Sequence, residues 1–181
     1  MSLSKWYKTV PSSDTLAQGD FLFDCPTIEV EEDFNYMSLS ELDDAPAKVV
    51  TRDFIILSQS CDLEDENIDY VILCPVYPFE LMTTFHSNSK RGELKSDRLP
   101  RFALLDKNDR ASFPQDYFIV DLASAQSLPL AYVKRFKDAR GKRLTLTSPY
   151  KEYLSQKFAY LHMRVGKPTS LTPFSITPTP A

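Results

Sequence analysis

Ser58-Gln59-Ser60-Cys61-Asp62 sets two hydroxyls, an amide, a thiol and a carboxylate in five consecutive positions. A thiol attacks only as the thiolate, which needs a neighbouring base or a positive field. Asp62 works against that ionisation, so catalysis by Cys61 requires His86 or His162 to be brought close by folding. Two other readings stand beside it: a turn in which Ser60 and Asp62 satisfy backbone amides, and a loop whose polar groups contact a ligand. Cys25, Cys61, Cys74 and His86 are ligand types suited to zinc. Their spacing matches no paired-cysteine pattern, so no metal is expected. A second cluster, Lys134, Arg135, Lys137, Arg140, Lys142 and Arg143, interleaves with Tyr132 and Phe136. Cations beside rings can hold phosphates and stack bases, and the segment 132–143 reads as an exposed hairpin.

The Ser58–Asp62 corner follows a β-branched run, Val49-Val50 and Phe54-Ile55-Ile56-Leu57, and precedes another, Tyr70 to Val76. Runs this short and this rich in Ile and Val predict two buried strands of one sheet, which hold the corner at a strand end. Before them, residues 1–17 read as an entry loop, and Phe21-Leu22-Phe23 as a first strand that Cys25-Pro26 interrupts before a second at 27–31. Residues 32–46 read as an acidic loop or a long hairpin excursion. After them come a short helix over 79–85, a polar loop over 86–100, and strands at 101–105 and 117–122. Residues 128–133 then read as an edge strand, on account of Pro129, and residues 143–146 as the last strand. A helix runs from Pro149 to about Val165, capped by Ser148 and closed by Gly166. Tyr150, Leu154, Phe158, Leu161 and Val165 give it one apolar face to pack on the sheet.

Short strands, a terminal helix and only four glycines predict a mainly β fold with peripheral α: a small antiparallel barrel with the C-terminal helix packed on it. Residues 1–168 are expected to form a single domain, and the Pro/Thr/Ser-rich tail 169–181 to be disordered. No Gly-rich loop follows a strand, which removes dinucleotide and P-loop chemistry, and no cofactor is expected. Neither a leader-like start nor an apolar stretch of ~18 residues is present, so the expected setting is the cytoplasm and no membrane. Residues 1–80 hold four Lys/Arg against seventeen Asp/Glu, whereas residues 134–181 hold ten against two. The two ends therefore attract each other or attract partners of opposite sign. Candidate partners are RNA or another single-stranded nucleic acid at the basic end, a protein at the acidic half, and a second copy of the chain as a homodimer.

Gly19-Asp20-Phe21-Leu22, Arg52-Asp53-Phe54-Ile55-Ile56-Leu57-Ser58 and Val71-Ile72-Leu73-Cys74-Pro75-Val76-Tyr77 resemble the "GDI", "RPVLVIS" and "VIVAPIT" strands of the MazF/PemK toxin ribonucleases. The order of the later elements is also similar. The resemblance implies an SH3-like barrel in a bacterial toxin–antitoxin or phage-defence setting. It also implies a candidate catalytic pair for metal-independent RNA cleavage, Arg52 at the arginine position and Tyr77 where the family has threonine. An acidic, Gly-free stretch replaces the family's Gly-rich substrate loop. Carboxylates there repel a phosphodiester, so the expected function is a binding module, with an endoribonuclease as the alternative.

Overall fold

The computed structural model describes residues 5–30, 47–114 and 116–163. The acidic loop 32–46, the end of the terminal helix with Val165 and Gly166, and the tail 169–181 lie outside the described residues.

Among the described residues eight strands and four α-helices follow in the order β1 (Tyr7–Val10), β2 (Phe21–Val30), β3 (Ala47–Ile56), α1 (Ser60–Glu64), β4 (Tyr70–Pro78), α2 (Asn88–Lys95), β5 (Phe102–Leu105), β6 (Phe118–Asp121), β7 (Gln126–Pro129), α3 (Leu130–Arg140), β8 (Arg143–Leu146) and α4 (Tyr150–His162). The fold is mainly β, and every ladder is antiparallel. The two apolar runs are neighbours as expected: Phe54 faces Pro75, Ile55 faces Cys74 and Ile56 faces Leu73. Pro75 has no N–H to give. It falls where the far edge of β4 passes from β7, paired at 70–73, to β6, paired at 76–78.

Ladders run β2-β3-β4-β6-β5, and β1 pairs with β8. An Asp20–Thr145 bridge joins β8 to the start of β2. Among the described residues no ladder joins β1 to β5, so the strand pairings do not close a barrel. The gap is crossed by single bonds: the Tyr7 hydroxyl donates to the Asp106 carbonyl at 2.6 Å, and Arg110 Nη2 donates to the Tyr7 carbonyl at 2.7 Å.

Alternation along the strands splits the core into layers. Phe21, Ile55, Cys74, Val76, Phe118, Val120 and Leu144 pack inward with Tyr7 and with Leu154 of α4. Leu22, Cys25, Phe54, Ile56 and Leu73 face outward under Leu130 and Val133 of α3 and Leu63 of α1. Ile119 faces a third cluster with Leu94 of α2 and Phe85. Each fully buried Leu, Ile or Phe contributes about 1.5–3 kcal/mol, so these three clusters set the fold.

Several expectations are corrected. Tyr7–Val10 is a strand rather than an entry loop, because its partner β8 lies far along the chain. Strand β2 is continuous past Pro26, since a bulge between Leu22 and Cys25, with Asp24 at φ 52°, absorbs the break. The 79–85 segment makes two 3-10 turns, and the 86–100 segment contains α2, whose first turn Ser87 caps by accepting from Lys90 N. The edge strand at 128–133 ends at Pro129, and the basic segment after it is α3, not a hairpin. Leu130 and Val133, three apart, bury one side of that helix. Gly141, at φ 78°, turns the chain out of it. Ser148 does not cap α4; its hydroxyl donates to Glu152 Oε1 at 2.6 Å.

Gly19 adopts φ 87°, and a Cβ there would stand 3.1 Å from Leu146 Cβ and 3.2 Å from Lys151 Cβ. Its N–H donates to the Ile56 carbonyl and its carbonyl accepts from Leu146 N, which stitches β3 to β8. Asp20 is buried, accepts from Ala17 N, and pairs with buried Arg143 at 3.0 Å. The Gly-Asp pair therefore has a structural task in this chain.

Candidate nucleic-acid interface

The Ser58–Asp62 corner is built mainly to hold the fold. The Ser58 hydroxyl accepts from Ile72 N at 2.9 Å, and the Ser60 hydroxyl accepts from Gln18 N at 3.1 Å. Gln59 precedes α1 without a side-chain cap bond, and Leu63 anchors that helix in the core. Cys61 is exposed, with Sγ 3.9 Å from Asp62 Oδ1. Neither histidine is its partner: His86 Nε2 is 3.3 Å from the Phe79 carbonyl, and the His162 ring packs 4.6 Å from that of Phe158. Among the described residues no histidine is bonded to Cys61, whose thiol contacts only Asp62.

Burial pushes the Cys25 thiol up to about 11 and the Cys74 thiol up to about 12, so both stay protonated at neutral pH. A disulfide reagent at pH 7.5 is expected to modify one thiol of three rapidly, and Cys61→Ser to remove that fast phase. Equal reactivity of Cys25 would contradict the packing of α3 over β2. Among the described residues no group of three or more His, Cys, Asp or Glu is placed to hold a metal ion.

Arg52 and Tyr77, 25 positions apart, do meet. Arg52 Nη1 donates to the Tyr77 hydroxyl at 3.2 Å, while Nη2 is bonded to Glu29 Oε1. All three lie on the outward face of β2, β3 and β4, because Arg52 follows the alternation of Phe54 and Ile56. Arg52 and Glu29 are each about a third exposed, so the ion pair faces solvent and competes with any anion for the guanidinium. Nearby in sequence to β5, Arg101 grips Asp121 through two bonds, of 2.9 and 2.7 Å, and Ser124 adds a third at 2.8 Å. Burial pushes the Asp121 carboxyl up, but the bonds from Arg101 and Ser124 outweigh it and hold it below the usual range.

The basic cluster divides once its helix is seen. Arg143 is buried, and its donors go to Asp20 and to the carbonyls of Pro11, Asp14 and Thr15. Its guanidinium is committed to these acceptors, and the residue also lines the groove formed by the end of α3 and the β2 bulge. Tyr132 is also occupied, donating to the Pro26 carbonyl at 2.7 Å and pinning α3 to β2. Arg135 is exposed on the outer side of α3. Lys137, Arg140 and Lys142 instead line a groove of about 340 Å³ between the end of α3, the β2 bulge and residues 112–114.

Beside the buried Phe21, three partly exposed rings line the groove: Phe136 from α3, Phe23 from β2 and Phe113 from the loop between β5 and β6. Phe23 and Phe113 stack at 5.9 Å, and the Arg140 guanidinium lies 5.1 Å from the centre of Phe136. No family model matches the chain, and no curated protein sequence does.

Two carboxylates share the groove. Asp24 is 3.8 Å from Arg140, and its carbonyl accepts from Arg140 Nη2 at 3.1 Å. Asp53 accepts from Asp24 N at 2.8 Å, and burial raises its carboxyl above the usual range. Both are tied to the bulge, where they offer acceptors beside the rings. Phe23, Phe113 and Asp53 were not among the sequence candidates. Their signal was weak, since Phe113 stands in a charged turn and Asp53 inside an apolar run.

Proposed function

We propose that the chain is a divergent MazF-like module, an SH3-like barrel, that binds single-stranded RNA without cleaving it. The observation that carries this reading is the groove where Lys137, Arg140 and Lys142 stand beside Phe23, Phe113 and Phe136. Cations that follow a backbone and rings that receive bases are what sequence-tolerant single-strand binding requires. A duplex keeps its bases stacked inside and has no face to offer these rings. The carboxylates of Asp24 and Asp53 supply acceptors for base amino groups. The barrel is supported by the run of ladders from β1 through β5 and by the Tyr7 bonds across its gap. Among the described residues no helix is long and apolar enough to cross a membrane. A cytoplasmic toxin–antitoxin or phage-defence role is proposed from the resemblance alone.

Filter retention of a mixed-sequence single-stranded RNA tests the reading. Phe113→Ala is expected to weaken retention about tenfold or more, since base–ring stacking contributes about 1–3 kcal/mol. Wild-type protein that retains no RNA at low salt, or a folded Phe113→Ala protein that binds as tightly as wild type, rejects it.

The Arg52–Tyr77 contact favours one second reading, a metal-independent endoribonuclease. There Arg52 would stabilise charge on the phosphate and Tyr77 would exchange a proton. Glu29 argues against it by occupying Arg52. RNA cleavage that persists in a chelator and is lost in Arg52→Ala would establish this second reading in place of binding alone.

A further inference from the structure

A second and larger cavity, about 570 Å³, is bounded by the turn at Phe79–Leu81, by α2, by the end of β5 and by residues 116–117. Its size falls in the range of sites for small organic ligands and exceeds what a lone inorganic anion needs. Arg91, Lys95 and Lys107 line it together with His86, Phe79 and Tyr117.

The charges here differ from those elsewhere on the surface. Lys90, Lys134, Lys137 and Arg140 are each paired with a carboxylate. Lys95 and Lys107 meet no carboxylate among the described residues, and Arg91 spends one bond of 3.0 Å on the His86 carbonyl. Of the two acids on the rim, Asp116 is engaged: its oxygens accept from Glu80 N at 3.2 Å and Tyr117 N at 2.7 Å. The cavity thus sets the cations Arg91, Lys95 and Lys107 against the carboxylates of Glu80 and Asp116, and its lining is net positive in a chain of net charge −4. Aromatic surface adjoins it, for Tyr117 is 42% exposed and the Arg91 guanidinium lies 5.8 Å from the centre of the Phe79 ring. The Phe79 carbonyl can only accept, so the His86 Nε2 that faces it at 3.3 Å is a donor.

We propose that this cavity is a mononucleotide site, separate from the RNA groove. Arg91, Lys95 and Lys107 take the phosphate, and Phe79 and Tyr117 flank the base. Both halves are needed, because three cations suit a dianion and the rings suit a planar heterocycle. The proposal does not rest on the RNA reading, since no residue is shared between the two sites.

The test is calorimetric titration of the full chain with AMP, GMP, CMP and UMP, with adenosine and inorganic phosphate as part-ligands. At least one mononucleotide is expected to bind with submillimolar Kd, and its two parts about tenfold more weakly or less well still. Neutralising three exposed cations in R91Q/K95Q/K107Q is expected to weaken it more than about tenfold, with a melting curve like that of wild type. Amide resonances of His86, Lys95 and Tyr117 should move with saturation. The proposal is overturned if none of the four saturates by roughly 5 mM, if the triple variant binds equally well, or if the shifts fall on Arg140 and Lys142 instead.

Discussion

Arg143→Ala is expected to lower the stability of the chain by about 3–5 kcal/mol, because it strands the buried carboxylate of Asp20. The pair is almost wholly enclosed, at 3% and 1% side-chain exposure with a 3.0 Å separation. Arg143 also satisfies the carbonyls of Pro11, Asp14 and Thr15, so three further acceptors lose their donor. Burial raises the Asp20 carboxyl, and the Arg143 guanidinium, the Thr145 hydroxyl and the Ala17 amide pull it back. Without Arg143 the balance moves further toward the protonated acid. For a chain of this length the loss corresponds to a fall in Tm of roughly 10 °C or more. Removing both charges in D20N/R143A should cost less than the sum of the single changes, since no buried charge is then left unpaired. A melting curve for Arg143→Ala that overlies the wild type would contradict the placement of β8.

The second large effect is on affinity. Neutralising the groove in K137Q/R140Q/K142Q is expected to weaken single-stranded RNA retention about 100-fold at low salt. Each charge-assisted bond to phosphate contributes about 1.5–3 kcal/mol. Giving up an exposed partner, Asp138 for Lys137 or Asp24 for Arg140, costs about 1 kcal/mol or less. The net is about 1 kcal/mol at each of three positions, which multiplies to that factor. Arg135 supplies the control, for it shares α3 and carries the same charge but does not line the groove. Arg135→Gln should change retention by about twofold at most. A loss equal to that of the triple variant would mean that α3 attracts RNA by charge alone.

How far the sequence could be read follows from the distance over which each contact acts. The antiparallel β3–β4 pair was legible because each strand is itself an apolar, β-branched run joined by a short polar link. Helix α4 was legible from Tyr150, Leu154, Phe158 and Leu161, whose spacing declares one face; Leu154 is buried and Trp6 stacks on Tyr150 at 3.8 Å. Strand β1 was not, since Tyr7–Val10 pairs with Arg143–Leu146 and nothing local in four residues announces a partner so remote. Helix α3 was hidden because its exposed side is basic, and Pro129 seemed to mark an edge strand. Its two buried positions, Leu130 and Val133, are a faint signal beside four cations. The same remoteness hid the pairing of Arg143 with Asp20. The meeting of Arg52 with Tyr77 was legible only through the resemblance, which named the two as a pair. The groove was half legible: its cations were seen, but Phe23 and Phe113 come from two other parts of the chain.

The account rests on RNA lying across the groove at Lys137, Arg140 and Lys142. The most direct measurement is the dependence of single-stranded RNA affinity on salt, compared between wild type and K137Q/R140Q/K142Q. Three phosphate contacts predict a log–log slope near about −2 for the wild type, flattening toward zero in the variant. Equal slopes for the two proteins, or no retention by the wild type even at low salt, would contradict it.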